Sequence, residues 1–186
     1  MIAKLRMLGL FLTLIVPVDL HHLTESEPAE GLPNDFLSET IQAVNEVWSI
    51  CEIRFEVRSR RAVSAARLGV PYRPQKMDDL SLIAQAVEPG GYRGAIPFTV
   101  AGDWGLGLYG LGWAFSRNDS GVIDRVGAMI DVKQLTQPHR VELIAHELGH
   151  ALSLPHYPKS GNVMSGGALV LIEEQCAQAR SFAQKF

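Results

Sequence analysis

The chain has 186 residues, of which 47% are apolar and 20% charged, with a net charge of −3. These are the proportions of a single globular domain with a sizeable core, and the weak, interspersed charge excludes a nucleic-acid-binding face. No internal repeat, low-complexity tract or apolar run of membrane-spanning length is present.

Lys4 and Arg6 precede an apolar run, Met7 to Val16. That pattern matches the start of a secretory signal, but no small-x-small cleavage pair follows it. The run also reads as a strand buried on both faces through Leu10–Val16, and we expect the strand. A strand implies an unprocessed, intracellular start; a signal implies secretion. His21 and His22 then read as a surface pair at the strand end. Thr24 to Pro33 is a loop. Asn34 or Asp35 can cap a helix whose stripe is Phe36, Leu37, Ile41, Val44, Val47, Trp48 and Cys51. Ile53, Phe55 and Val57 alternate with Arg54, Glu56 and Arg58, so 52–59 is a half-buried strand. Strand, helix and strand make a βαβ unit, whose crossover is right-handed as a rule.

Prolines and glycines break up 60–94, with a short helix over Asp78–Val87. Ala95–Ala101 reads as a third strand, followed by a glycine-rich loop over 102–110. That loop lacks the lysine and spacing of a phosphate-binding loop. Leu111–Ser116 is a fourth strand, 117–121 a turn and Val126–Val132 a fifth strand. Thr136 can cap the next helix, with Pro138 in its first turn. Cys51 and Cys176 lie far apart and form no metal-ligand pair of the C-x-x-C type. Each reads as a small buried hydrophobe, and a disulfide between them stays open.

His146-Glu147-Leu148-Gly149-His150 carries the chemistry. Residues four apart share one face of a helix, so the two imidazoles can reach one metal ion. Glu147, about 100° around the helix from His146, reaches the edge of the same site. Catalytic zinc keeps three protein ligands and a water, and the water needs a base. Glu147 supplies the base and His156 is the nearest third ligand. Pro155 ends the helix near Ser153 and sends the chain extended into His156. A tight turn over Asn162–Ser165 carries Met164, and Leu169–Phe186 closes the chain as a helix.

These residues resemble the metzincin clan of zinc metallopeptidases, whose pattern is H-E-x-x-H-x-x-G-x-x-H followed by a methionine turn. Here the pattern is HExxHxxxxxH: His146, Glu147, His150, Ser153, His156, then Met164. The string His-Glu-Leu-Gly-His-Ala-Leu is most similar to the matrixin-like branch. The resemblance implies an α+β fold with an α/β-like upper half: a twisted, mostly parallel five-stranded sheet with an antiparallel edge strand, a zinc helix, the methionine turn and a C-terminal helix. It implies one catalytic domain over 1–186, its sheet part at about 1–152 and its turn and last helix at about 153–186. Metzincin-type activity would be zinc-dependent hydrolysis of peptide or protein substrates by a metalloendopeptidase with one Zn2+. His146, His150 and His156 would be its ligands, Glu147 the general base and Met164 the apolar floor. Gly112, Trp113, Ala114 and Phe115 would lie on the edge strand that holds an extended substrate.

Two departures stand out. Ser153 replaces the family glycine, at a cost of about 1 kcal/mol if the bend needs a positive φ. Gly166 stands where some branches carry a tyrosine. Neither cysteine precedes the domain as an inhibitory pro-segment would require, so restraint would come from a separate protein inhibitor or not at all. Two rivals remain: a gluzincin-like peptidase with Glu173 or Glu174 as third ligand, and a catalytically silent zinc-binding regulatory module.

Overall fold

The computed structural model describes residues 12–26, 34–89, 93–105, 112–119, 122–166 and 168–186. Strand β1 (Leu14–Thr24) leads through α1 (Asn34–Trp48) to β2 (Ile53–Ser64). The short α2 (Ala65–Leu68) and α3 (Met77–Val87) follow, then β3 (Ile96–Ala101), β4 (Gly112–Asp119) and β5 (Val122–Asp131). Helices α4 (Arg140–Ala151) and α5 (Glu173–Ala183) complete the chain. The five strands form one sheet in the order β2-β1-β3-β5-β4. All neighbouring pairs are parallel except β4 with β5, so the antiparallel strand lies at the edge, as expected.

Alternation along the strands sorts their side chains to two faces. Val16, Val18, Leu20, Phe98, Val100, Ala128 and Ile130 join α1, α4 and α5 in the main core. Leu23, Ala101 and Met129 face the other way, onto Leu80, Ile83 and Val87 of α3. Val163, Met164, Leu171 and Phe182 belong to the same core as Leu148, so the chain before and after residue 152 shares one interior.

Several element limits differ from expectation. The first strand is Leu14–Thr24, not Leu10–Val16, and Leu10 and Phe11 lie outside the described residues. Pro17 is accommodated because β3 pairing begins only at Val18, so Pro17 meets one neighbouring strand. His21 is not at a surface end. It pairs with Arg61 on one side and Thr99 on the other, faces α3 and is 1% exposed. Strand β2 runs on to Ser64 because its backbone follows β1 throughout, although 59–63 lack apolar alternation. Strands β4 and β5 extend over most of the expected turn; 120–121, like 106–111, lie outside the described residues.

Thr136 does not cap α4. Asp131 accepts a hydrogen bond from the Lys133 amide at 2.9 Å and starts a 3-10 turn, Val132–Thr136, so α4 begins later, at Arg140. The last helix starts at Glu173, not Leu169: the Val170 carbonyl is taken by the Val163 amide at 2.8 Å, which keeps that stretch extended. Cys51 and Cys176 form a disulfide that ties α5 to the turn after α1. Among the described residues, no helix is long and apolar enough to cross a membrane.

Candidate metal centre

Helix α4 buries Ile144, Ala145, Leu148 and Ala151 and leaves His146 and His150 half-buried beside that stripe. Its end is a Schellman motif: the Leu154 amide donates to Gly149 O at 2.9 Å and the Ser153 amide to His150 O at 2.9 Å. The motif places one residue in left-handed geometry, and Ser153 takes it with φ +68°. Pro155 then forbids further helix, and the chain carries His156 back over the helix end.

Two histidines have their Nδ1 atoms occupied. His146 Nδ1 lies 2.7 Å from Val163 O, and His150 Nδ1 lies 2.7 Å from Leu154 O. A carbonyl only accepts, so each Nδ1 is the protonated nitrogen and each Nε2 presents a lone pair. The Nε2 atoms converge: His150 to His146 is 3.0 Å and His150 to His156 is 3.1 Å. One ligand atom from each of the three lies within 4.8 Å of the others. Burial, partly opposed by the bond to Leu154, lowers His150 to about 4; burial also lowers His146. Both rings are therefore neutral near pH 7, and His146 and His150 turn the unshared pairs of their Nε2 atoms toward one another, an arrangement that a bound cation would stabilise. Imidazoles around tetrahedral zinc, at about 2.0–2.1 Å from it, lie roughly 3.4 Å apart, so the donor set fits that ion.

Glu147 is 5% exposed, and burial pushes its carboxyl up to about 8. It does not join the histidine cluster. Its carboxylate lies against the start of β4: a Cβ on Gly112 would run into its Cδ at 2.5 Å. Gly112 thus brings the edge-strand backbone up to the carboxylate. Beyond it, Ala114 packs on the main core, while the rings of Trp113 and Phe115 lie 4.9 Å apart. On its described side the strand pairs only with β5, through Gly112↔Ile130 to Phe115↔Gly127.

Met164 is fully buried beneath α4, where Gly149 lacks the Cβ that would collide with its sulfur. The Tyr157 amide donates to Met164 O at 2.9 Å and so ties the residue after His156 to this turn. Glu173 and Glu174 do not approach the histidines. Both are exposed at the start of α5, and Glu173 accepts from Arg180 at 3.1 Å. The gluzincin-like alternative fails on that placement. Sequence reasoning passed over Asn162 and Gln175, which are buried and hydrogen-bonded to each other. Asn162 carried a weak signal, since asparagine commonly opens a turn by accepting from a following amide; Gln175 carried none.

No protein-family model matches this chain. No curated protein matches it either. Among solved structures, archaemetzincin from Methanopyrus kandleri superposes with a TM-score of 0.55 at 19% identity, covering 91% of this chain and 96% of that one. The chain has a metzincin-type fold. Metalloproteinase-II from Bacteroides fragilis superposes with a TM-score of 0.54 at 14% identity, covering 82% of this chain and 46% of that one. The likeness of this chain to both structures is one of fold.

Proposed function

We propose that this chain is a zinc-dependent endopeptidase. The observation that carries the reading is the convergence of three Nε2 atoms, two of them fixed by Nδ1 bonds to carbonyls, next to a buried carboxylate. The metzincin-type fold and the name of the Bacteroides relative support it. The matrixin likeness rests on the string His146–Leu152 alone.

His146, His150 and His156 would hold one zinc ion as neutral imidazoles. Zinc bound there supplies Lewis-acid activation of a water and of the peptide carbonyl. Glu147 takes the proton of the attacking water as the new C–O bond forms. It then delivers that proton to the amine as the C–N bond breaks. A nearby dication favours the ionised carboxylate and so offsets the burial that raises its pKa. Gly112 to Phe115 would offer main-chain hydrogen bonds to an extended peptide, with Gly112 placing the strand beside Glu147. Met164 would form the floor under the ligands. The Cys51–Cys176 disulfide suits an oxidising compartment.

The test is cleavage of an unstructured peptide library by the purified chain. Activity should vanish on chelation and return with one equivalent of zinc. Zinc bound at one per chain without cleavage of any peptide would instead support a silent zinc-binding regulatory module.

A further inference from the structure

The turn that carries Met164 is held by two buried neutral amides. Asn162 is 3% exposed and Gln175 is 8% exposed. Asn162 Nδ2 donates to Gln175 Oε1 at 2.7 Å, and Gln175 Nε2 donates back to Asn162 Oδ1 at 3.0 Å. Each oxygen also accepts one backbone amide: Met164 N reaches Asn162 Oδ1 at 2.8 Å and Ile172 N reaches Gln175 Oε1 at 3.1 Å. Those backbone donors fix which end of each amide is oxygen. Only a side chain with both a donor and an acceptor can close such a pair, and here each amide meets its partner both ways.

Burying two amides is costly unless every group is paired, so an apolar contact would hold α5 to the turn at lower risk. What the amides add is a single arrangement of the backbone between them. Val163 lies inside the clamp. Its amide donates to Val170 O at 2.8 Å, and its carbonyl receives His146 Nδ1 at 2.7 Å. The carbonyl thereby sets the tautomer and tilt of the first histidine. His150 takes its Nδ1 acceptor from Leu154, outside the clamp.

We propose that Asn162 and Gln175 are positioning residues for His146, holding the Val163 carbonyl that orients its imidazole toward the metal. This rests on the zinc reading given above. It makes α5 part of the metal centre although it contributes no ligand, and it separates the histidines: one depends on the amide clamp and its neighbour on the same helix does not.

The experiment uses the full chain with zinc as the probe. Gln175→Met removes both amide bonds at similar volume. Gln175→Glu keeps the oxygen that accepts from Asn162 and Ile172 but sets a second oxygen against Asn162 Oδ1. Zinc affinity is measured by chelator competition under conditions where each apo variant is folded. Loss of a group that orients a ligand costs roughly 10–100-fold in metal affinity, and a fall at the lower end of that range is expected for both variants. In the zinc-loaded protein, nuclear magnetic resonance should show faster exchange of the His146 Nδ1 proton, with the His150 Nδ1 proton unchanged. Phe182→Leu, which loosens the same helix, should lower stability and leave both readouts as in the parent. If Gln175→Met does not fold, Gln175→Glu decides. Zinc affinity within twofold of the parent, with His146 exchange unchanged, overturns the proposal alone. A parent chain that binds no zinc overturns the zinc reading and this proposal with it.

Discussion

Helix α4 and the segment from Ser153 to Gly166 bring their groups to one place by different physics. On α4, His146 and His150 are set by a repeat of 3.6 residues and by the buried stripe beside them. Past Ser153 there is only one turn of regular structure, Val163–Ser165, and position depends on individual bonds. Leu154 N to Gly149 O, Tyr157 N to Met164 O and Gln178 Nε2 to Ser153 O, the last at 2.6 Å, do what a helix repeat does on α4. The helix tolerates the loss of one bond because its neighbours remain. The segment has no such repeat, and its bonds reach back to the helix as well, since Val163 O accepts from His146 Nδ1.

The largest expected effect is on metal binding. His156→Ala should weaken zinc by more than about 100-fold, since even groups that only orient a ligand cost 10–100-fold. Glu173→Ala should leave it unchanged. Chelator competition on both variants checks this, and equal affinities would remove His156 from the ligand set. Next is the covalent tie between the two regions. The Cys51–Cys176 bond closes a separation of 125 residues. Replacing both cysteines by alanine should cost about 2–5 kcal/mol in denaturant unfolding.

A third prediction separates the metal region from the opposite face of the sheet. Burial first and Arg61 second hold the His21 imidazole down at about 4, against the raising effect of Asp19. Glu88, 3.4 Å from its Nε2, also faces it. The folded pKa lies below the unfolded value, so the unfolded chain binds the proton first. Stability is complete above about pH 6.5 and falls as pH drops toward 4, by on the order of 3 kcal/mol in all. His21→Leu should flatten that limb relative to the parent, the other histidines being common to both. Parallel curves would show that His21 does not titrate as described. The smallest effect is at the bend. Ser153 sits at φ +68°, so Ser153→Gly should raise stability by about 0.5–1 kcal/mol.

The same contrast decides how much could be read in advance. The stripe and histidines of α4, the alternation in Ile53, Phe55 and Val57, and the stop at Pro155 are periodic or punctuating signals, and they placed the helix, the sheet and the third histidine. The end of β1 is not legible because hydrophobicity weights Leu10–Val16, whereas strand pairing continues through Pro17, His21 and His22 to Thr24. The start of α4 is not legible because the Asp131 carboxylate caps an earlier turn, Val132–Thr136. Gln175 was silent because its role exists only once Asn162, 13 positions away in sequence, is folded against it. The disulfide was open for the same reason: it depends on how α5 docks on the end of α1.

The central claim is that Glu147 is the base beside a three-histidine zinc site. Its most direct test is one measurement on Glu147→Ala: peptide cleavage at known zinc content. We expect one zinc per chain and a loss of at least about 10²–10⁴-fold in cleavage rate. Cleavage near the parent rate with zinc fully bound would contradict the claim.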